Sequence, residues 1–194
     1  MQQVQPIPRR KYTVADWEAL PEGHKYELID GDIYMMARPS IEHQAVTFEI
    51  GRQFGNYLLG KQCRVFSEAA LRFNENDDSV FVPDLYIICD PAKIRKNYCV
   101  GTPDLVIEVL SPSSVRMDKI SKLDRYLHEG VREYWVVDPI HQIIDVFRWN
   151  NGASAPRIYG PTDKIKVGIL DDCEIDLSLV FSEQETEERP TIES

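Results

Sequence analysis

A short apolar run near the middle of the chain constrains the fold more than any other feature. Residues 105–110 read Leu-Val-Ile-Glu-Val-Leu, and a proline stands close by on either side, at Pro103 and Pro112. An apolar run of this length is typical of a β-strand that is covered on both faces. Glu108 interrupts the run, and a lone buried carboxylate costs roughly several kcal/mol unless it is paired or bound to a metal ion. The sequence therefore predicts a buried strand and a partner for Glu108.

The composition is that of an ordinary globular protein. The chain has 194 residues, which is enough for one domain with a substantial core. No apolar run reaches membrane-spanning length, and residues 1–11 lack the apolar core of a signal peptide, so we expect a cytoplasmic protein. The spacing of the four cysteines fits neither a metal site nor a redox pair, so we expect reduced thiols. They are Cys63, Cys89, Cys99 and Cys173.

The charge limits the kind of nucleic-acid contact that the chain can make. The formal net charge is −10, and residues 183–194 contribute to it with five Glu and one Arg. The rest of the chain is still acidic, which weighs against a broad nonspecific nucleic-acid surface built from clustered Lys and Arg. The acidity is compatible with a small nuclease site, because bound divalent cations make an acidic cluster less negative.

The organisation of the chain predicts one α/β domain, with no internal repeat and no linker. Residues 1–11 are polar and contain prolines, which predicts a flexible N-terminal arm. We expect the domain to span residues 12–181 and residues 182–194 to form a disordered acidic tail. Within the domain, residues 90–102 are predicted to be a loop.

Local signals place the main elements. Thr13 is a predicted N-cap for a short helix, and Gly31 supplies the turn of a predicted hairpin. Ser40 is a predicted cap for a long amphipathic helix. Pro83 breaks an apolar run, since proline has no amide hydrogen to donate. A strand–helix–strand unit over residues 104–138 favours a parallel strand pair with a right-handed crossover.

Two carboxylates in apolar strands suggest a metal site. Asp84 follows Pro83, and Glu108 lies in the central run, so their strands could lie side by side. Oxygen ligands of this kind suit Mg²⁺ or Mn²⁺. Lys122, on the following helix, could reach the same place and orient an attacking water or offset developing charge. These residues predict a phosphodiester-cleaving site.

Simpler interpretations of the same residues stay open. Asp84 could cap a strand beside Pro83, and Glu108 could form a buried pair with Lys122 without any metal. Lys122 by itself would more often be a solvated helix lysine. An i,i+4 pair between Asp118 and Lys122 is favoured over metal ligation by Asp118.

A set of ordered motifs resembles a known family. The motifs are Tyr26-Glu27-Leu28-Ile29-Asp30-Gly31, His43 after Pro39-Ser40, Pro83-Asp84-Leu85, residues 103–113, Lys122-Leu123 followed by Tyr126, and residues 130–139. Together they resemble the Uma-type restriction-endonuclease family, long described as a domain of unknown function, within the PD-(D/E)XK nuclease superfamily. The resemblance covers about residues 12–181.

The resemblance implies a restriction-endonuclease-like core, with a mixed β-sheet flanked by helices, and magnesium-dependent DNA cleavage. It implies Asp84 and Glu108 as metal ligands, with the backbone carbonyl of Val109 as a third. The superfamily lysine position, two residues after the glutamate, is Leu110 here. The resemblance assigns the lysine role to Lys122 instead.

Further residues and partners follow from the same resemblance. Glu27 and His43 match recurring family positions, which implies places at the edge of the site. DNA is the implied partner, Mg²⁺ or Mn²⁺ the implied cofactor, and no organic cofactor is expected. We expect a homodimer, since cutting both strands at once needs two sites. The alternative is a catalytically silent module on the same fold, a dimeric nucleic-acid- or protein-binding component.

Overall fold

The computed structural model describes residues 10–21, 25–111, 122–149 and 155–182. The helices in these ranges are α1 (Val14–Glu18), α2 (Ile41–Leu58), α3 (Leu123–His128) and α4 (Leu177–Val180). The strands are β1 (Tyr26–Ile29), β2 (Asp32–Met35), β3 (Arg64–Ser67), β4 (Ala70–Arg72), β5 (Leu85–Ile88), β6 (Tyr98–Val100), β7 (Leu105–Val109), β8 (Glu133–Asp138), β9 (Ile143–Arg148), β10 (Arg157–Tyr159), β11 (Lys164–Lys166) and β12 (Glu174–Asp176). Within the same ranges, no helix is both long enough and apolar enough to cross a membrane.

A six-stranded mixed sheet forms the centre of the fold. Its strand order is β10-β9-β8-β7-β5-β3. β7 and β8 run parallel, whereas β5 runs antiparallel to both β7 and β3. The mixed sheet and the α/β class predicted from the sequence are confirmed. The parallel pair predicted within residues 104–138 is confirmed as well.

Two apolar layers cover the sheet, which explains why its central strand is apolar on both sides. On one face, α2 and the C-terminal elements pack over residues such as Leu105 and Ile107. On the other face, α3 and β4 pack over Val106 and its neighbours. Because side chains alternate along a strand, Glu108 shares the face of Val106. The predicted buried strand is confirmed, since all five residues of β7 are buried.

Capping residues set the starts of the first two helices, as the sequence predicts. The Thr13 hydroxyl accepts a hydrogen bond from the amide of Asp16 at the start of α1. The Ser40 hydroxyl accepts one from the amide of His43 at the start of α2. The β1–β2 turn places Asp30 and Gly31 at φ values of 50° and 79°. Positive φ at both positions matches the twist of a tight hairpin, and glycine adopts it without strain.

Two local predictions need correction or fall outside the described residues. Residues 90–102 are not merely a loop, because they contain a 3₁₀ turn at Pro91–Lys93 and strand β6. β6 pairs in parallel with β4, so both strands find their hydrogen bonds outside the main sheet. The serines after the central strand also predict the start of a helix, with Ser113 or Ser114 as its cap, and this position lies outside the described residues.

The expectation of four reduced cysteines is wrong for one pair. Cys63 and Cys89 form a disulfide. They stand next to β3 and β5, whose register pairs Arg64 with Ile88. Strand pairing therefore brings the two cysteines face to face although they are 26 residues apart in sequence. The other two cysteines, Cys99 and Cys173, are free thiols and buried.

A second buried carboxylate ties the C-terminal part of the chain to the sheet. Glu133 is fully buried at the start of β8. One of its oxygens accepts hydrogen bonds from Trp135 Nε1 at 2.8 Å and Arg148 Nη2 at 3.0 Å. The other accepts from the amide of Gly168 at 2.6 Å. Both oxygens are thus satisfied, as a buried carboxylate requires.

We expect Glu133→Ala to lower the free energy of unfolding by about 3 kcal/mol, because three donors lose their acceptor. Urea denaturation followed by circular dichroism measures this change. Glu174→Ala, at an exposed position of β12, is the control and should change stability by less than about 0.5 kcal/mol. Equal stability of the two variants would contradict the role given to Glu133.

Candidate active site

Strand pairing sets Asp84 and Glu108 opposite each other. β5 and β7 pair Leu85 with Ile107, so the next step of the antiparallel register places Asp84 across from Glu108. Both residues are nearly inaccessible to solvent, at 6% and 2% exposure. The amide of Val109 donates a hydrogen bond to Asp84 Oδ2 at 2.7 Å, which fixes that carboxylate against the end of β7. The structure therefore brings together the two carboxylates singled out in the sequence.

Lys122 reaches the same place from the start of α3. Its side chain is 4% exposed, and Nζ lies 3.1 Å from Glu108 Oε1. The same Nζ lies 3.1 Å from Glu27 Oε1, so one ammonium group bridges two carboxylates. Glu27 comes from β1, and its Oε1 also accepts a hydrogen bond from the amide of Val82 at 2.9 Å. Glu27 is thus a direct partner of Lys122.

His43 contacts Asp84 from the first turn of α2. Its Nε2 lies 3.3 Å from Asp84 Oδ2, and its ring is nearly buried. On the other side of the ring, Nδ1 lies 3.5 Å from Thr47 Oγ1, which donates its own hydrogen to the His43 carbonyl. Burial acts to lower the pKa of His43, but the hydrogen bond to Asp84 and its negative charge outweigh burial and raise the pKa, helped by the Val109 backbone.

Tyr126 also belongs to the site, although the sequence analysis did not select it as a site residue. Its hydroxyl donates a hydrogen bond to Glu108 Oε1 at 2.8 Å. Burial and the charges of Glu108 and Glu27 raise the pKa of Tyr126 well above its ordinary value. The available signal was the i,i+4 spacing from Lys122, which puts both side chains on one side of a helix.

These side chains line an open cavity. Its volume is about 280 Å³, and its walls include Glu27, His43, Asp84, Glu108 and Lys122. Basic, aromatic and acidic side chains complete the lining: Lys25, Arg38, Tyr34 and Glu68. Lys25 and Glu68 form an ion pair. Asp118, the remaining residue proposed for the site, lies outside the described residues.

The donor set fits a hard divalent cation that shares its coordination with water and substrate. In the described ranges, no group of three or more His, Cys, Asp or Glu side chains is arranged to hold a metal ion. Mg²⁺ commonly binds through one or two carboxylates and keeps several waters or substrate phosphate oxygens. Asp84 and Glu108 meet that requirement at the cavity wall. Among the described residues there, the three buried carboxylates outnumber the buried basic side chains, Lys122 and His43, which favours a further cation.

Two curated proteins of the cyanobacterium Synechocystis sp. (strain ATCC 27184 / PCC 6803 / Kazusa) are similar to this chain. Uncharacterized protein slr1290 is 29% identical over 136 residues, which cover 70% of this chain and 71% of the relative. Uncharacterized protein sll1609 is 30% identical over 117 residues, which cover 59% of this chain and 66% of the relative. The similarity therefore extends over most of the domain.

A solved structure shares the fold. It is described as "a putative nuclease belonging to DUF820" from Anabaena variabilis ATCC 29413, and it matches with a TM-score of 0.72. The match covers 88% of this chain and 97% of that chain, at 22% sequence identity. The mixed sheet and its two covering layers are thus a fold that this chain shares with a solved structure.

The family comparison covers nearly the whole described domain. The Uma2 family model, described as "Putative restriction endonuclease", matches residues 13–178. This range contains the hairpin of Glu27, the helix of His43, both strands with the paired carboxylates, and Lys122. The chain belongs to the Uma2 family of restriction-endonuclease-like proteins.

Proposed function

We propose that this protein is a metal-dependent DNA endonuclease that hydrolyses phosphodiester bonds, with residues 12–181 as its nuclease domain. The observation that carries the proposal is the convergence of three buried carboxylates and one lysine on the wall of an open cavity. Burying so many charged side chains is costly, and such clusters are concentrated at functional sites. Membership of the Uma2 family supports DNA as the substrate.

Asp84, Glu108 and the backbone carbonyl of Val109 would hold the Mg²⁺ or Mn²⁺ ion. When bound, such an ion polarises the phosphate and lowers the pKa of an attacking water. The residues around the ion site determine how the ligand side chains are oriented. The Val109 amide and the His43 ring both hold Asp84 Oδ2. This double contact orients one of the two proposed ligands.

Lys122 supplies the positive charge that belongs to the protein itself. Glu27 and Glu108 hold its Nζ from two sides, so the ammonium group is fixed before substrate arrives. A preorganised cation stabilises charge that develops on the phosphate more effectively than a mobile one. The Tyr126 hydroxyl restrains the Glu108 carboxylate and thereby helps to fix its position beside Lys122.

The cavity rim provides limited contact with the DNA backbone. Arg38 is exposed at the rim and Lys25 lies near it, so both could bind phosphate oxygens next to the scissile bond. With a net charge of −10, we expect the DNA contact to be concentrated at this cavity. The proposal includes a homodimer, because two cavities are needed to cut both strands in one encounter.

A catalytically silent module is the second candidate. The observation that favours it is the Lys122–Glu108 pair, which compensates the buried carboxylate without a metal ion. In that case the fold would bind a nucleic acid or a protein and cleave nothing. The two candidates differ in whether magnesium or manganese binds at Glu108.

We expect Asp84→Asn and Glu108→Gln each to abolish cleavage of plasmid DNA with magnesium or manganese, because each removes a metal ligand. Calorimetric titration of manganese in the presence of an uncleavable duplex should show binding that Glu108→Gln loses. Asp124→Asn removes an exposed carboxylate two residues from Lys122 and should leave both measurements unchanged. Full activity in either ligand variant would remove that residue from the site, and absence of metal binding in the unmutated protein would favour the silent module.

We expect Lys122→Met to reduce cleavage by about 10²–10³-fold, as loss of a preorganised transition-state donor does. Without metal, it should also lower the free energy of unfolding by about 3–5 kcal/mol, because two buried carboxylates lose their shared cation. Adding Glu27→Gln should recover part of the stability and none of the activity. Urea denaturation in EDTA and a cleavage assay measure the two effects. Recovery of activity in the double variant would contradict the role proposed for Lys122.

We expect the metal-free protein to show a His43 pKa above the ordinary value of 6.5, because the hydrogen bond to Asp84 and the charge of Asp84 outweigh the effect of burial. The pair then stabilises the fold fully below pH 6.5, and this contribution is lost as the pH rises through the raised pKa. Titration of the imidazole signals by NMR gives the value. Asp84→Asn should lower it, whereas Asp145→Asn, a carboxylate in β9, should not. An unshifted pKa in the unmutated protein would contradict the Asp84 contact.

A further inference from the structure

Helix α2 is apolar on two opposite sides. Its inner side carries Val46, Ile50 and Phe54, which pack on the sheet. Its outer side carries large apolar side chains that are almost fully exposed: Ile41 at 89%, Phe48 at 72% and the C-cap residue Leu59 at 85%.

The spacing of the outer residues is regular. With Ala45, Arg52 and Gly55, the three large side chains occupy a row that alternates steps of four and three residues. That spacing places all six on one stripe of a helix, as in a coiled-coil seam. A surface helix normally presents polar side chains to solvent, and one that is apolar all round is normally buried. The outer stripe of α2 therefore has the character of a contact surface.

We propose that the outer stripe of α2 is a self-association surface on which α2 of a second copy packs antiparallel. A two-fold axis near Ile50 would set Ile41 opposite Leu59 of the second copy. It would set the small residues Ala45 and Gly55 opposite each other. Large residues then meet large ones and small meet small, which is the self-complementarity that an isologous dimer requires.

The charges at the centre of the stripe fit the same arrangement. Arg52 pairs with Glu49 of its own helix at 2.6 Å and 2.8 Å. The two-fold axis brings this pair beside its copy, so each Arg52 meets Glu49 and the ring of Phe48 from the other chain. In this arrangement each Arg52 has an opposite charge and an aromatic ring beside it, so the contact is attractive and does not juxtapose like charges.

The backbone allows the two helices to approach closely. A Cβ atom added at Gly55 would have no heavy atom within 4 Å, so the space above this residue is open. Small residues in a helix pair let the two backbones approach each other. Gly55 and Ala45, on either side of the central Phe48 and Arg52, therefore leave room for the backbone of the second helix.

The size of the stripe sets the strength of the association. The 18 residues of α2 span about 27 Å, and a helix is about 10 Å wide. The area of the stripe, the product of these two lengths, is smaller than the roughly 800 Å² that each partner buries in a standard interface. We expect a concentration-dependent dimer in the micromolar range. The surface does not depend on the nuclease activity, although it would give the homodimer of the proposed function its interface. The His43 residues of the two copies would lie about 21 Å apart along the helix axis.

Sedimentation velocity tests whether this surface mediates dimerisation. Protein concentrations from roughly 1 to 200 µM cover the range around a micromolar dissociation constant. We expect the unmutated chain to shift from monomer to dimer, and Phe48→Glu and Leu59→Glu to remain monomers with unchanged melting temperature. Ile158→Glu, at a 63% exposed position of β10, is the matched control and should dimerise normally. A monomer at all concentrations, or dimers that survive both α2 substitutions, would overturn the proposal. Cleavage assays on the same variants measure nuclease activity independently, so a failure of the dimer proposal can be distinguished from a failure of the nuclease proposal.

A crosslinking experiment tests the antiparallel register. Under mild oxidation, an equal mixture of Ala45→Cys and Gly55→Cys chains should form disulfide-linked dimers of one chain of each kind. Each variant alone should form few, because its new cysteines lie far apart across the two-fold axis. Crosslinking of Ala45→Cys with itself as efficiently as in the mixture would overturn the register.

Discussion

One buried ammonium group connects the parts of this fold that build the cavity. Lys122 contacts Glu27 from the N-terminal hairpin and Glu108 from the central strand, and it stands itself at the start of a helix. Burying carboxylates at that depth is costly unless a positive charge lies beside them. Because one ammonium group contacts both oxygens, it links the hairpin, the sheet and the helix to one another. The cavity is the space that remains between them.

The sheet determines which other charged side chains can reach the cavity. Its central strands carry apolar layers on both faces, so a charged group is tolerated only where the strands end. Asp84 and Glu108 lie at one such end, where the first turn of α2 adds His43. The buried charged groups of the cavity therefore lie on regular elements or directly beside them, which holds these groups more precisely than a long loop would.

The sequence was sufficient to identify those site residues whose polarity or position departs from the local sequence pattern. Glu108 in an apolar run and Asp84 beside a proline both break a local pattern, and each turned out to be buried at the cavity. Tyr126 did not stand out, because an aromatic residue at helical spacing fits a core equally well. The disulfide between Cys63 and Cys89 depends on the pairing of β3 with β5, which spacing alone does not reveal.

The antiparallel course of β5 and β7 has a consequence for variation within the family. Asp84 directly precedes one strand and Glu108 nearly ends the other, so the chain between them leaves the cavity and turns back at the opposite end of these strands. Residues lost or gained in that distant turn would not alter the step that sets the two carboxylates side by side. A single residue inserted between Asp84 and the turn would shift the ladder and rotate one carboxylate to the other face. The spacing within each strand therefore constrains the position of the two carboxylates more strictly than the length of the segment between the strands does.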